Sequence, residues 1–376
     1  LRNNFDSRHS KPIPPAFVDA ARFADCRLLT LVKEKAMQAL SSARIMETGM
    51  AFWPAKTLLS AVELGVFTAL GASAMTGEEL RSALGLHTRA VPDFFDTLVA
   101  LRFLEREGEG TAAQYRNTPE TALFLDRGSA DYIGGMLEMA NARLYRFWGD
   151  LTEALRTGRP QNEIKHTGAP MFTELYQDPE RLEQFMRAMA GISRPNFTAF
   201  ADKFDFSRYE SLCDVGGATG LLSILVAKRH PRLRCVSVDL PMVTPIAERH
   251  IAAAGLSDRI TARSVDFFAE PLPPADVVTM GLILHDWNLE KKLHLIKAAY
   301  EAVRPGGAFV VIENLIDDDR RENAFGLMMS LNMLIEFGDA FDYTGRDFSE
   351  WCLGAGFCRT EILPLGGAAS AGIAYK

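Results

Sequence analysis

The stretch that most restricts what this chain can fold into runs from Leu212 to Gly220, Leu-Cys-Asp-Val-Gly-Gly-Ala-Thr-Gly. A short apolar run ending in an acid, then a tight glycine turn, reads as a strand leaving a sheet for a helix. Glycine has no Cβ, so such a turn predicts main-chain amides in close approach to a ligand. Twenty-three residues after Gly216, Asp239 closes a second apolar run, Cys235-Val236-Ser237-Val238. That spacing presents an acid to a ribose diol in mononucleotide-binding folds. Strands are predicted at 211–215, 235–238, 260–265, 276–280 and 308–313, with helical patterns between them, and two short runs, 360–363 and 371–375, finish the chain. Serial strand–helix units imply an α/β fold, a doubly wound and mostly parallel sheet with right-handed crossovers.

The glycine turn discriminates among nucleoside ligands. Counted from Gly216, a dinucleotide fingerprint needs glycine at 218 and 221, where this chain has Ala218 and Leu221. The missing glycines are those that admit pyrophosphate and close helix packing. A cofactor with a nucleoside but no pyrophosphate fits better, and S-adenosylmethionine (SAM) is the common example. Asp239-Leu240-Pro241 ends the second strand and offers a carboxylate to ribose hydroxyls. Asp266-Phe267-Phe268 follows the third strand, an acceptor and an aromatic surface for adenine. His285-Asp286-Trp287 follows the fourth. All lie on the rim where open α/β sheets bind ligands.

The 376 residues are enough for two domains. The expected division is 1–125, helical, and 126–376, with a helical pocket segment at 126–205 and the sheet core at 206–376. An amphipathic arm is predicted from Ala20 to Met46. Helices are predicted over 56–70, from a cap at Thr76 with Glu79 three residues on, and over 90–103, followed by a hairpin. That succession reads as a winged helix-turn-helix. Its would-be reading helix sets Arg89 beside Asp93 and Asp96, and the chain carries a net charge of −7, so a structural or dimerising use is favoured over nucleic-acid binding. Residues 126–205 are dense in aromatic and methionine side chains, among them Tyr132, Tyr145, Phe147, Trp148, Phe172, Tyr176 and Met171. That mixture suits the wall of a pocket for a flat apolar ligand. Five cysteines form no CxxC pair. No run of 18 apolar residues predicts a membrane span, and the first ten residues carry no signal-peptide pattern. A cytoplasmic protein is expected.

As a set, Asp214–Gly220, Asp239-Leu-Pro241, Asp266-Phe-Phe268, Leu284-His-Asp-Trp287, Arg304-Pro-Gly-Gly307 and Gly354-Ala-Gly-Phe357 resemble the class I SAM-dependent O-methyltransferases of the caffeic acid and acetylserotonin type. Ser330-Leu-Asn-Met-Leu334 is closest to the acetylserotonin branch. The resemblance spans most of the chain. It implies a Rossmann-like catalytic domain, a winged-helix dimerisation domain and a homodimer. It implies cofactor contacts from Ser193, Asp214, Gly216, Gly217, Asp239, Leu240, Asp266 and Phe267. His285 would be the general base for a substrate hydroxyl, flanked by Glu313 and by Asp342, where the family usually has the longer Glu. Phe185, Met189, Asp286, Met333 and Phe337 would meet the acceptor, an aromatic or polyketide-like small molecule. Gly281 stands where plant members often place a lysine.

The implied reaction is methyl transfer to an oxygen, in which the protein supplies alignment, water exclusion and proton removal. It needs no metal, and the acidic run Asp317–Asp319 reads as a solvated turn. Two alternatives remain open: an enzyme of this fold that methylates nitrogen or transfers no methyl group, and a winged-helix regulator that senses a ligand.

Overall fold

The computed structural model describes residues 40–168, 175 and 178–376. The predicted arm upstream of residue 40, and Met171, Phe172 and Tyr176 of the aromatic segment, lie outside the described residues. The chain forms two compact units, 1–55 and 56–376. The first carries the helix Ala43–Gly49.

In the larger unit the helix expected over 56–70 is split at Gly65, whose φ of 74° ends Phe52–Leu64 and starts Val66–Leu70. A three-stranded antiparallel sheet follows, ordered β1 (Met75–Thr76), β3 (Gln114–Asn117), β2 (Leu104–Glu107). Thr76 and Glu79 close a reciprocal capping box on helix α1 (Gly77–Ala83), which satisfies main-chain N–H groups left open at a helix start. Helix α2 (Asp93–Ala100) is shorter than its apolar pattern suggested. Phe67, Leu80, Phe95, Leu98 and Tyr115 fill the small core beneath this wing.

The main sheet has seven strands in the order β6-β5-β4-β7-β8-β10-β9. These are β4 (Ser211–Val215), β5 (Arg234–Asp239), β6 (Ile260–Ser264), β7 (Ala275–Gly281), β8 (Val303–Glu313), β9 (Arg359–Gly366) and β10 (Ala369–Tyr375). The first five pair in parallel, while β10 runs antiparallel between β8 and β9. Alternate residues point to opposite faces. Leu212, Val277 and Val310 join one buried cluster with α3 (Pro179–Lys203) and α4 (Leu221–Arg229), whereas Cys213, Val278, Phe309 and Val311 join another on the far face. That far cluster includes side chains of α6 (Leu289–Ala302) and α8 (Gly345–Ala355); α5 (Thr244–Ala253) links β5 to β6. Burial on both faces explains why the strands read as near-continuous apolar runs. The strand order reverses beside β4, flanked by β5 and β7, and the crevice above that switch point is where such sheets bind ligands.

Candidate active site

β4 delivers Asp214 and then turns at Gly216, whose φ is 68°. The turn does not present its first amides to a ligand, contrary to the sequence expectation. Gly216 and Gly217 donate their N–H groups to Val238 O at 2.9 and 3.1 Å, and Ala218 donates to Asp239 Oδ2 at 2.9 Å. Glycine serves here by its size. A Cβ at 216 would lie 2.3 Å from Ile283 Cδ1, and one at 217 would lie 2.0 Å from Ser237 Oγ. With those donors turned inward, the loop is a poor anion cradle, which agrees with the absence of the pyrophosphate glycines.

A cavity of about 360 Å³ opens over this turn. All eight residues expected to meet the cofactor line it: Ser193 from α3, Asp214, Gly216 and Gly217 from the first loop, Asp239 and Leu240 from the end of β5, and Asp266 and Phe267 beyond β6. The donor set suits an adenosine with an amino-acid tail. Each Asp239 carboxylate oxygen accepts one main-chain N–H, from Ala218 and from Leu240, which fixes the group and leaves acceptor capacity for a ribose diol. Burial raises its pKa, opposed by those two N–H groups. Asp214 Oδ1 accepts from Thr279 Oγ1 at 3.0 Å, and its Oδ2 is buried with no hydrogen-bond partner among the described residues. Burial pushes Asp214 up to about 7, against the Thr279 hydroxyl and with the charge of Asp239. The Ser223 main chain and hydroxyl also act on this carboxylate, which lines the cavity as an acceptor for a donor such as an ammonium.

The sequence reading gave no task to Trp287, which lines the cavity together with Phe268 of the expected aromatic surface. Their rings meet edge to face at 4.7 Å, and Lys291 lies 4.6 Å from the Trp287 centroid. Both stood in quoted rim motifs, so their position was readable. Phe197 was not: its ring lies against Gly281, where a Cβ would come 2.7 Å from Cζ. That ring fills the space a lysine side chain would need.

His285 sits just past β7 in the short helical turn Leu284–Asp286, and it is 6% exposed. Its Nε2 lies 3.3 Å from Asp286 Oδ1 and its Nδ1 lies 3.4 Å from Asp342 Oδ1. The shorter side chain at 342 therefore still reaches the ring. Ser330 Oγ accepts the Asp342 N–H at 3.2 Å. Glu313 has a different task from the ring contact expected of it. Its Oε1 accepts the main-chain N–H groups of Leu284 at 2.8 Å and His285 at 3.3 Å. At the end of β8 it thus pins the turn that carries the imidazole. Burial alone would depress the His285 pKa, but Asp286, Asp342 and Glu313 outweigh it and raise it to about 10. Burial raises Asp286 to about 6, opposed by His285.

On the acceptor side, Phe185, Met189 and Asp286 line the cavity, whereas Met333 and Phe337 do not. Those two lie on α7 (Ala324–Phe337), which packs against the Leu284–Asp286 turn. Much of the aromatic segment is spent on helix contacts: Tyr132 bonds Glu138, and Trp148 Nε1 donates to Asn332 at 3.0 Å. Asp317 is a local cap, accepting N–H groups from Arg321, Glu322 and Asn323, which hold its pKa down to about 2. On the wing, Arg89 pairs with Asp93, and Asp96 accepts from Arg106 at 3.1 Å and from Tyr115 at 2.7 Å. Those cations are engaged within the wing.

Known proteins match the chain in two separate stretches. The chain matches the O-methyltransferase domain over residues 148–358 and the O-methyltransferase dimerisation domain over residues 46–127. The tetracenomycin polyketide synthesis 8-O-methyl transferase TcmO of Streptomyces glaucescens is 38% identical over 332 residues, 88% of this chain and 96% of that protein. The N,N-dimethyltransferase OxyT of Streptomyces rimosus is 34% identical, covering 83% of this chain and 90% of that one. Human N-acetylserotonin methyltransferase, solved in complex with SAM, superposes with a TM-score of 0.82 at 29% identity, covering 90% of this chain and 99% of that one.

Proposed function

The chain belongs to the O-methyltransferase family, and from that premise we propose that it moves a methyl group from SAM to a hydroxyl of an aromatic or enolic, polyketide-like small molecule in the cytoplasm, with His285 as general base. The observation that carries this reading is the His285 imidazole, buried among carboxylates and 3.3 Å from Asp286, the neighbour that lines the cavity with Asp239 and Asp266 while His285 itself lies behind that lining. SAM, when bound, supplies an electrophilic methyl on a good leaving group. Asp239 would hold the ribose diol, Asp266 and the Phe267 surface the adenine, and Asp214 with Ser193 the amino-acid end. The aromatic wall of Phe268 and Trp287 keeps water from the base's side of the site.

The acceptor's hydroxyl takes the place of Asp286 against Nε2; with that carboxylate displaced, the foremost influence holding the ring near 10 is gone, and the ring in its neutral form takes the hydroxyl's proton as oxygen attacks. Asp342 fixes the tautomer from Nδ1 and stabilises the imidazolium that forms, while Glu313 holds the turn. The matched dimerisation domain supports a homodimer. Among the described residues, no helix is long and apolar enough to cross a membrane.

A second reading, methylation of nitrogen, rests on the likeness to OxyT. An amine acceptor needs no base to become nucleophilic once neutral, so the His285→Ala variant separates the two. Phenolic, polyketide and amine acceptors are incubated with SAM and screened for a mass gain of one methylene. Oxygen transfer predicts a loss of turnover of at least about 100-fold in H285A, with SAM affinity by calorimetry nearly unchanged. Undiminished turnover in H285A would overturn the base assignment.

A further inference from the structure

Lys292 is fully buried, although lysine almost never is without an ionic partner. It occupies a slot on the inward face of α6, in line with the buried Leu295, Ile296 and Ala299. Its Nζ donates to Trp287 O, the carbonyl that closes the turn carrying His285. The ammonium lies 3.8 Å from the Phe341 ring centroid and 5.7 Å from that of Tyr343. No carboxylate among the described residues stands within ion-pair distance of it, yet Glu313, Asp342, Asp286 and Asp339 all act on it through space. One carbonyl and a ring face are a thin replacement for water around a buried cation.

What surrounds it supplies the reason. Three carboxylates converge on one imidazole: Asp286 from the same turn, Asp342 from the segment before α8, and Glu313 from the end of β8. Asp339 stands farther out and accepts from Asn288 Nδ2 at 2.8 Å, and the neutral Tyr343 phenol is packed beside Glu313. With every acid ionised, the ring alone leaves the cluster two negative charges in excess, and Lys292 removes one of them. Like charges crowded in a low-dielectric site otherwise take up protons.

We propose that Lys292 is a positioning residue for the base: its ammonium is the counter-charge that keeps Asp286 and Glu313 ionised around His285, and its bond to Trp287 O pins the turn that bears the ring. This rests on the reading of His285 as the base. The fit of the ammonium agrees with its titration, since burial lowers its pKa to about 8 against the acids that raise it, leaving it charged at neutral pH.

The test is K292M and K292Q against the parent enzyme, with K292R as the charge-retaining variant. Methionine fills the same volume, and replacement of a buried charge by an apolar chain is often tolerated; glutamine keeps a donor for the Trp287 carbonyl and removes only the charge. In both neutral variants the cluster holds an extra proton at a given pH. The Asp286 carboxyl, which stands at about 6 where Lys292 is charged, then titrates on the order of one pH unit higher by carbon NMR, and the acidic limb of kcat/KM below pH 7 moves up with it, while SAM affinity stays within about twofold. K292R restores the parent titration. A carboxyl titration unmoved in K292Q or K292M would reduce Lys292 to packing and overturn the proposal. Because that titration is read without turnover, it still decides the role of Lys292 if H285A shows that His285 is not the base.

Discussion

Replacing Asp342 by Asn removes a carboxylate that stands against Nδ1 of His285 while keeping its shape. The two atoms lie 3.4 Å apart and both residues are buried. At an effective dielectric near 20, a charge pair at that distance is worth about 4–5 kcal/mol. At roughly 1.4 kcal/mol per pKa unit this bounds the shift at about 3 units, and carboxylates beside a cation move pKa values by about 1–3 units. In D342N the His285 pKa, held at about 10 against burial by Asp286, Asp342 and Glu313, should therefore fall by about 2 units.

Two consequences separate in an assay. The acidic limb of kcat/KM moves to lower pH, because the imidazolium is less favoured. The plateau above that limb drops by about 100-fold, because the ring has lost the partner that orients it and the base is weaker. Methyl transfer is measured from pH 5.5 to 10.5 beside an NMR titration of His285, and D342E serves as the charge-retaining control. A limb that stays in place, or a plateau equal to that of the parent, refutes the assignment of Asp342 to the base.

Gly217→Ala places a Cβ 2.0 Å from Ser237 Oγ and 3.1 Å from Asp214 Oδ2; SAM binding should weaken more than about tenfold by calorimetry, with partial recovery in G217A/S237A, and unchanged affinity would show that the loop has room to spare. Asp214→Asn probes stability. A carboxyl held at about 7 when folded, against about 3.9 unfolded, contributes stability fully below pH 4 and loses it as pH rises through 7. The thermal midpoint of apo D214N should thus gain on the parent between pH 5 and pH 8; a difference that is flat across that range would count against a buried, ionising Asp214. Light scattering at micromolar concentration should give a dimer, and a monomer would contradict the matched dimerisation domain.

The rim of the sheet was legible because each of its ligand-facing residues follows directly from a strand end. Once 211–215, 235–238 and 260–265 read as parallel strands, Asp214, Asp239 and Asp266 had to share one edge, whatever the helices between them did. All three line the cavity. Short-range chemistry was equally readable at Thr76 and Glu79, whose capping box needs only three residues of chain.

What only the tertiary structure decided are contacts made across elements far apart in the chain. Glu313 and Asp342 were both tied to the base by motif, yet the fold gives one the main-chain N–H groups of the turn and the other the ring. Phe197 against Gly281 is a pairing of α3 with β7. Lys292 marks the limit most clearly. It follows Lys291 directly in α6, and nothing local separates the buried lysine from its exposed neighbour until the helix packs. The sequence by itself determined that the glycine turn at Gly216 and the acids at the strand ends share one rim, since strand ends and backbone space are local properties. Which protons the site holds was decided by packing, because charge–charge interactions depend on distance in space and on the loss of water, and neither is written along the chain.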